Sequence, residues 1–390
     1  MLKSQPFDDT LRSYASVRQL EIIEAIDQAG TRDAAAILLG ISTRKVYEAI
    51  GRVRKTAAAA GYSPDHDMTR TVPSGFKVKG VSTYYNADGK PSGQWVKSSA
   101  TNEAQEAALR EFAADLAEGV KGLAPITPKP THTIDSLLCV YPIGDPHFGL
   151  RVWAQEGGDN FDLEAAERLT CSAIDRLVSS APKAHTALLL NLGDHFHADS
   201  QSNTTTAGTN VDVDGRWAKI QQIGLRSMLY GIKRLLEHHE KVIFRINRGN
   251  HDKHAAYALA LMVSCYFHNE PRVEVDLSPS AVWYYQFGKV LIGSTHGDTI
   301  KGTAMMGVMA ADKPQEWGTS SHRYWLVGHV HHVDQKEYPG GMVEYFRTLA
   351  PGDAWHHGQG YRSGRDMRLI VMHKEYGEIE RHRCDVGMLS

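Results

Sequence analysis

Five short polar segments punctuate the C-terminal two-thirds of this 390-residue chain, and each follows directly on an apolar run. They are Gly144-Asp145-Pro146-His147, Gly193-Asp194, Arg248-Gly249-Asn250-His251-Asp252, Thr295-His296-Gly297-Asp298 and Gly328-His329-Val330-His331. The runs before them are Ser136 to Ile143, Thr186 to Leu192, Lys241 to Asn247, Val290 to Thr295 and Arg323 to Val327. These read as strands, with amphipathic helices such as Leu163 to Val178 and Ile220 to His238 between some of them. Strands alternating with helices predict an α/β domain. In open α/β sheets the ligand crevice lies outside the carboxyl ends of the strands, so the five segments can converge there.

Their residue types point to a metal centre. Alternate residues of an extended chain share a direction, so Asp145 and His147 can grip one ion, as can His329 and His331. The carboxylate of Asp194 has two oxygens and can bridge two ions. Asn250 offers a neutral carbonyl ligand, and His296 an imidazole. His251 is then left as an acid, with Asp252 available to orient it. Arg248 could bind a substrate phosphate or pair with a carboxylate. Glycines in these segments allow backbone and metal to approach closely. Histidine is the unusual count, at 20, and its concentration in the same two-thirds marks where the chemistry should lie.

These residues resemble the calcineurin-like metallophosphoesterase superfamily, whose ordered signature is DxH, GD, GNHD or GNHE, H and GHxH. The resemblance covers Ile134 to the C-terminus. It implies a four-layer αββα sandwich around two divalent ions. Asp145, His147, Asp194 and His331 would hold the first ion, and Asp194, Asn250, His296 and His329 the second. The ligand mix suits Mn²⁺, with Fe or Zn²⁺ as alternatives. A metal-bound hydroxide would attack phosphorus while His251 protonates the leaving oxygen. One place departs from the pattern: where many members carry an acid three residues after the GD aspartate, this chain has His197. His195 and His332 have no assigned role, and His238, His239, His356 and His357 are expected to be exposed or to support the ligands.

The first 62 residues read differently. Tyr14 to Gln28, Ala34 to Leu39 and Thr43 to Ala58 have helical patterning, with Thr31 and Ser42 as N-caps and a turn at Gly40, the layout of a helix-turn-helix. The third helix carries Arg44, Lys45, Arg52, Arg54 and Lys55 against Glu48. Arg44, Lys45 and Arg52 are the expected DNA contacts. Residues 63–133 read as a hairpin (Gly75 to Tyr85 and Gln94 to Lys97 around Asn86-Ala87-Asp88-Gly89), a helix over Asn102 to Val120 and a Pro-rich linker, Leu123 to Thr133. Residues 134–390 form the expected catalytic domain. The layout, a small DNA-binding-like head on a phosphoesterase, resembles DNA-processing proteins of bacteriophages and prophages, which would place it in a bacterial host's cytoplasm.

Composition bounds these readings. A formal net charge of -2 means that any nucleic-acid surface must be a local patch. No apolar stretch approaches the ~20 residues of a membrane span. Met1 to Thr10 carries acids and no apolar core, against a secretory signal. Cys139, Cys171, Cys265 and Cys384 form no CxxC pair, so a reducing compartment is expected. The leading expectation is a metal-dependent phosphodiesterase or nuclease acting on DNA, with a homodimer as the natural form of a helix-turn-helix protein. The alternatives are a phosphomonoesterase acting on a small molecule or phosphoprotein, and a DNA-binding regulator with a degenerate metal domain.

Overall fold

The computed structural model describes residues 7–100 and 121–389; the helix expected over Asn102 to Val120 lies outside them. The chain divides into two compact units, Met1–Ala108 and Leu109–Ser390.

In the first unit, helices α1 (Asp9–Arg12), α2 (Val17–Ala29), α3 (Arg32–Leu38) and α4 (Thr43–Ala59) precede a hairpin of β1 (Phe76–Tyr85) and β2 (Pro91–Ala100). The caps are local chemistry. Ser16 and Gln19 form a reciprocal capping box on α2, Thr31 Oγ1 accepts from Ala34 N on α3, and Ser42 Oγ accepts from Lys45 N on α4. Val46, Ile50, Val53 and Ala57 recur at helical spacing and bury one stripe of α4 against Ile22, Ile23, Ile26, Ala35 and Ala36. That stripe leaves Arg44, Lys45 and Arg52 on exposed positions.

In the second unit, the strands are β3 (Ile134–Ile143), β4 (Ala184–Asn191), β5 (Lys241–Ile246), β6 (Val273–Val275), β7 (Trp283–Phe287), β8 (Val290–Thr295), β9 (His322–Val327), β10 (Asp334–Tyr338), β11 (Gly341–Tyr345), β12 (Asp366–His373) and β13 (Gly377–Asp385). They form a six-stranded sheet ordered β13-β12-β3-β4-β5-β6 and a five-stranded sheet ordered β10-β11-β9-β8-β7. Strands β3, β4 and β5 run parallel in the first, and β8 and β9 run parallel in the second.

The period-2 alternation of β3 explains the layering. Leu137, Cys139, Tyr141 and Ile143 face helices α5 (Leu163–Ser180), α6 (Trp217–Leu236) and α7 (Lys253–Tyr266), which contribute Ile174, Ile232 and Leu259 to that core. Leu138 and Val140 face the other way, toward Val290, Ile292 and Leu326 of the second sheet. The far side of that sheet packs Leu291, Trp325 and Val327 against Met305, Met306 and Met309 of α8 (Gly302–Asp312). The result is a mixed α/β unit layered helix, sheet, sheet, helix.

The Pro-rich stretch expected as a linker is strapped to this unit. Arg272 Nη2 donates to the Thr127 carbonyl at 2.7 Å, and Lys129 pairs with Glu240 at 2.8 Å. The four cysteines are free thiols. No helix among the described residues is long and apolar enough to cross a membrane.

Candidate metal centre

Each of the five sequence segments leaves the C-terminal end of a parallel strand: three from the larger sheet and two from the smaller. The two sheets face each other, so both sets of loops meet at one edge. Asp145, His147, Asp194 and His296 are buried, while Asn250, His251 and His331 are part-buried and His329 is exposed. Three groups of donor atoms come within 4.8 Å of one another: Asp145, His147 and His331; Asp194, His296 and His329; and His147, His197 and His251.

The first two groups share a wall of short contacts. His147 Nε2 and His331 Nε2 are 3.2 Å apart, and His331 Nε2 is 3.7 Å from Asp145 Oδ1. His296 Nε2 lies 3.0 Å from Asn250 Oδ1 and 3.3 Å from Asp194 Oδ2. Its Nδ1 sits 3.0 Å from the Leu192 carbonyl, the second-nitrogen contact that fixes the orientation of a ligating imidazole. The Asp145 carboxylate accepts the His329 N–H at 3.0 Å, and its carbonyl accepts Thr348 Oγ1 at 2.7 Å. Thr348 carries no sequence signal that links it to the site; only the fold brings it there.

The backbone is strained at this place. Asp145, His147, Asp194, His329 and His331 all have positive φ, between 41° and 71°. For a residue with a Cβ that conformation costs on the order of 1–3 kcal/mol, and it persists where the surroundings over-determine it. Five such residues in one cluster indicate a geometry maintained for function. The glycines are equally constrained: a Cβ at Gly249 would collide with the Asp194 carboxylate, and one at Gly328 would lie 2.7 Å from Asp145 Oδ2.

Electrostatics fit a site that holds positive charge. Burial would raise the Asp194 carboxyl, but the His296 imidazole beside it pulls it below the usual carboxylate range. Burial would lower His296, yet Asp194 and Asp145 hold it up at about 10. Carboxylates that stabilise an imidazolium so strongly would stabilise a dication in its place. Burial and the nearby His251 keep His147 well below its ordinary value, so it stays a neutral donor. Two carboxylates, four imidazoles and an amide oxygen, arranged with converging lone pairs, therefore fit divalent ions.

Two sequence readings change. Asp252 does not orient the His251 ring. It is fully buried, and its carboxylate accepts the Phe196 N–H at 2.9 Å and the Gly249 N–H at 3.2 Å, tying two ligand loops together. Burial and Asp194 raise its carboxyl well above the ordinary range. The His251 ring is oriented instead by the His197 carbonyl, 2.8 Å from Nδ1, which leaves Nε2 4.0 Å from Asp194 Oδ2. His239 is not exposed: it is fully buried, with Nε2 2.9 Å from Tyr141 Oη and Nδ1 2.8 Å from the Ala184 carbonyl, on the helix side of the larger sheet.

The remaining residues fall into place by contact. His197, buried, has Nδ1 3.3 Å from His147 Nδ1 and stacks on His251 at 5.2 Å. His195 is buried beside Phe148 and Phe196, with Nδ1 on Asn191 at 2.8 Å. His356 stacks on His331 at 5.4 Å and bonds Asp353 at 2.7 Å. Asp199 accepts the backbone N–H groups of His254 and Ala255 at the start of α7 and the Thr206 hydroxyl at 2.6 Å. Thr206 N in turn donates to the His251 carbonyl at 3.1 Å, so the long 199–216 loop is pinned against the site. His332 is exposed, with Nδ1 2.8 Å from the Val330 carbonyl. Arg248 is exposed and, among the described residues, makes no hydrogen bond or ion pair.

No family model matches the chain, and no curated protein matches it. Among solved structures, a conserved uncharacterized protein, a predicted phosphoesterase, from Streptococcus pneumoniae TIGR4 aligns with 65% of this chain and 99% of its own at 8% identity and TM-score 0.27. Wild-type Vps29 complexed with zinc from Entamoeba histolytica aligns with 64% of this chain and 99% of its own at 14% identity and TM-score 0.27. A phosphopantetheinyl hydrolase from Mycobacterium tuberculosis aligns over 58% and 93% at 12% identity and TM-score 0.26. Likenesses this weak carry no argument about what the chain does.

Proposed function

We propose that the second unit is a calcineurin-like metallophosphoesterase that hydrolyses phosphodiesters, with DNA as its substrate. Asp145, His147, Asp194 and His331 would hold one divalent ion, and Asp194, Asn250, His296 and His329 the other. The observation that carries this reading is the convergence of those donors from two sheets, five of them on left-handed backbone. Two divalent ions in such a cradle supply Lewis acidity toward a phosphoryl oxygen and lower the pKa of water.

The chain's own residues would do the rest. His251, held through Nδ1 by the His197 carbonyl, presents Nε2 to the site and would give its proton to the departing oxygen. Asp252 would keep the 194–197 and 249–252 loops in register. Arg248, exposed beside Asn250, would meet a phosphate of the substrate. DNA as substrate is supported by the basic side chains of α4, where Arg44 and Arg52 are 88% and 75% exposed. We read α2 to α4 as a helix-turn-helix that brings the duplex to the chain.

Bis-p-nitrophenyl phosphate, p-nitrophenyl phosphate and linear, circular and single-stranded DNA, each incubated with Mn²⁺, test the reading together. Cleavage of the diester and of DNA is expected. Cleavage of the monoester alone, with DNA untouched, would replace it by the phosphomonoesterase alternative.

A further inference from the structure

The hairpin β1–β2 of the first unit has two unlike faces. Cross-strand partners share a face, so the register assigns each side chain to one of them. Thr83 pairs with Gln94 and Val81 with Val96 on the inner face, where Gln94 Nε2 donates to the Thr83 hydroxyl and to the Asp67 carbonyl, both at 3.0 Å. The outer face is the alternate set. There Lys77 pairs with Ser99, Gly80 with Lys97, Ser82 with Trp95 and Tyr84 with Gly93.

Nothing covers Trp95 and Tyr84 among the described residues: they are 68% and 64% exposed. Directly across from Trp95 stands the small Ser82, with Gly93 and Lys97 two residues away on its own strand and Gly80 and Tyr84 on the diagonals, so the two rings and a cation lie side by side on one face. Lys77 and Lys97 are exposed on the same face, and Lys79 and Lys90 flank it at the bulge and the turn. Asp88, at the turn, is the acid of the hairpin. The ribbon is thus strongly basic in a chain whose formal net charge is -2.

We propose that this outer face binds single-stranded nucleic acid, with bases stacked on Trp95 and Tyr84 and phosphates drawn to Lys77 and Lys97. Exposed rings interleaved with cations match unstacked bases on a phosphate backbone. A duplex would use the lysines and leave the rings idle, because its bases are already stacked. The inference rests on the nucleic-acid part of the reading above and names the form of the ligand: a strand opened or already single.

The test is binding of a labelled oligo-dT to the full chain in EDTA, so that no hydrolysis intervenes. Trp95→Ala should weaken binding about 5- to 150-fold, and Trp95→Phe should restore most of it. Replacing Lys77 and Lys97 together by Ala should flatten the slope of log Kobs against log salt by about 1.4. Unchanged binding by Trp95→Ala, or an abasic strand of equal length bound as tightly as oligo-dT, would overturn the proposal. Duplex binding after Arg44→Ala with Lys45→Ala reports on α4, and diester hydrolysis reports on the metal centre. Failure of either therefore remains distinct from failure at the hairpin.

Discussion

The basic helix of the first unit and the ligand cluster of the second both gather charged groups, but under opposite constraints. On α4, Arg44 and Arg52 stand in solvent and lean on the same Glu48, at 2.8 and 3.9 Å. Exposed pairs of this kind are worth about 0–1 kcal/mol, and nothing in the helix depends on their identity. In the second unit, Asp145, Asp194 and His296 are buried on backbone that elsewhere would be avoided or in contact with glycines that admit no Cβ. A solvated charge can be there for solubility alone. A buried cluster that costs backbone strain has to be compensated, and a bound cation is the compensation its chemistry calls for.

That contrast can be broken from the buried side first. Asp194→Ala should reduce diester hydrolysis to background and remove metal binding with it, since both candidate ion sites use this carboxylate. Activity at the parental level would end the two-ion assignment. His251→Ala should lower kcat by about 10²–10⁴-fold while leaving the metal content unchanged, the signature of a lost proton donor. Metal lost in parallel would make His251 a ligand instead. Gly249→Ala should cost about 1–3 kcal/mol in a urea titration and weaken metal binding, because its Cβ and the Asp194 carboxylate cannot coexist.

A pH prediction comes from the buried histidine outside the site. Burial pushes His239 down to about 3, against about 6.5 in an unfolded chain. Between those values the unfolded chain binds a proton that the folded one refuses. The stabilisation is therefore complete above about pH 6.5 and is lost as pH falls toward 3. From pH 7 to pH 5 this one group should reduce stability by about 2 kcal/mol. Urea midpoints at the two pH values, compared with His239→Gln, would show it; an unaltered pH dependence in that variant would remove His239 as the cause. The smallest effect belongs to the exposed side. Arg44→Ala with Lys45→Ala should leave stability within about 0.5 kcal/mol while weakening duplex binding and flattening its salt dependence.

The sequence made the site legible because each ligand segment follows an apolar run that ends where the sheet ends. The strands expected at Val290 to Thr295 and Arg323 to Val327 are found at Val290–Thr295 and His322–Val327. Strands β11, β12 and β13 were not legible. Glu344, Arg368 and Arg381 interrupt their apolar alternation, and the structure gathers those charges into an ion cluster around the buried Glu344, with Arg368 2.8 Å from Glu344 and Arg381 paired to the same carboxylate. The orientation of His251 was also hidden, because the group that fixes it is a backbone carbonyl and has no side-chain signature. The left-handed ligands belong to the same class: Asp and His tolerate that conformation without announcing it.

The most direct test is a count of bound ions. Metal-free protein titrated with Mn²⁺, followed by calorimetry and by the electron paramagnetic resonance of the bound ion, should take up two ions per chain that are magnetically coupled. Diester hydrolysis should rise with their occupancy. Uptake of none or one, or hydrolysis that persists in EDTA, would contradict the account.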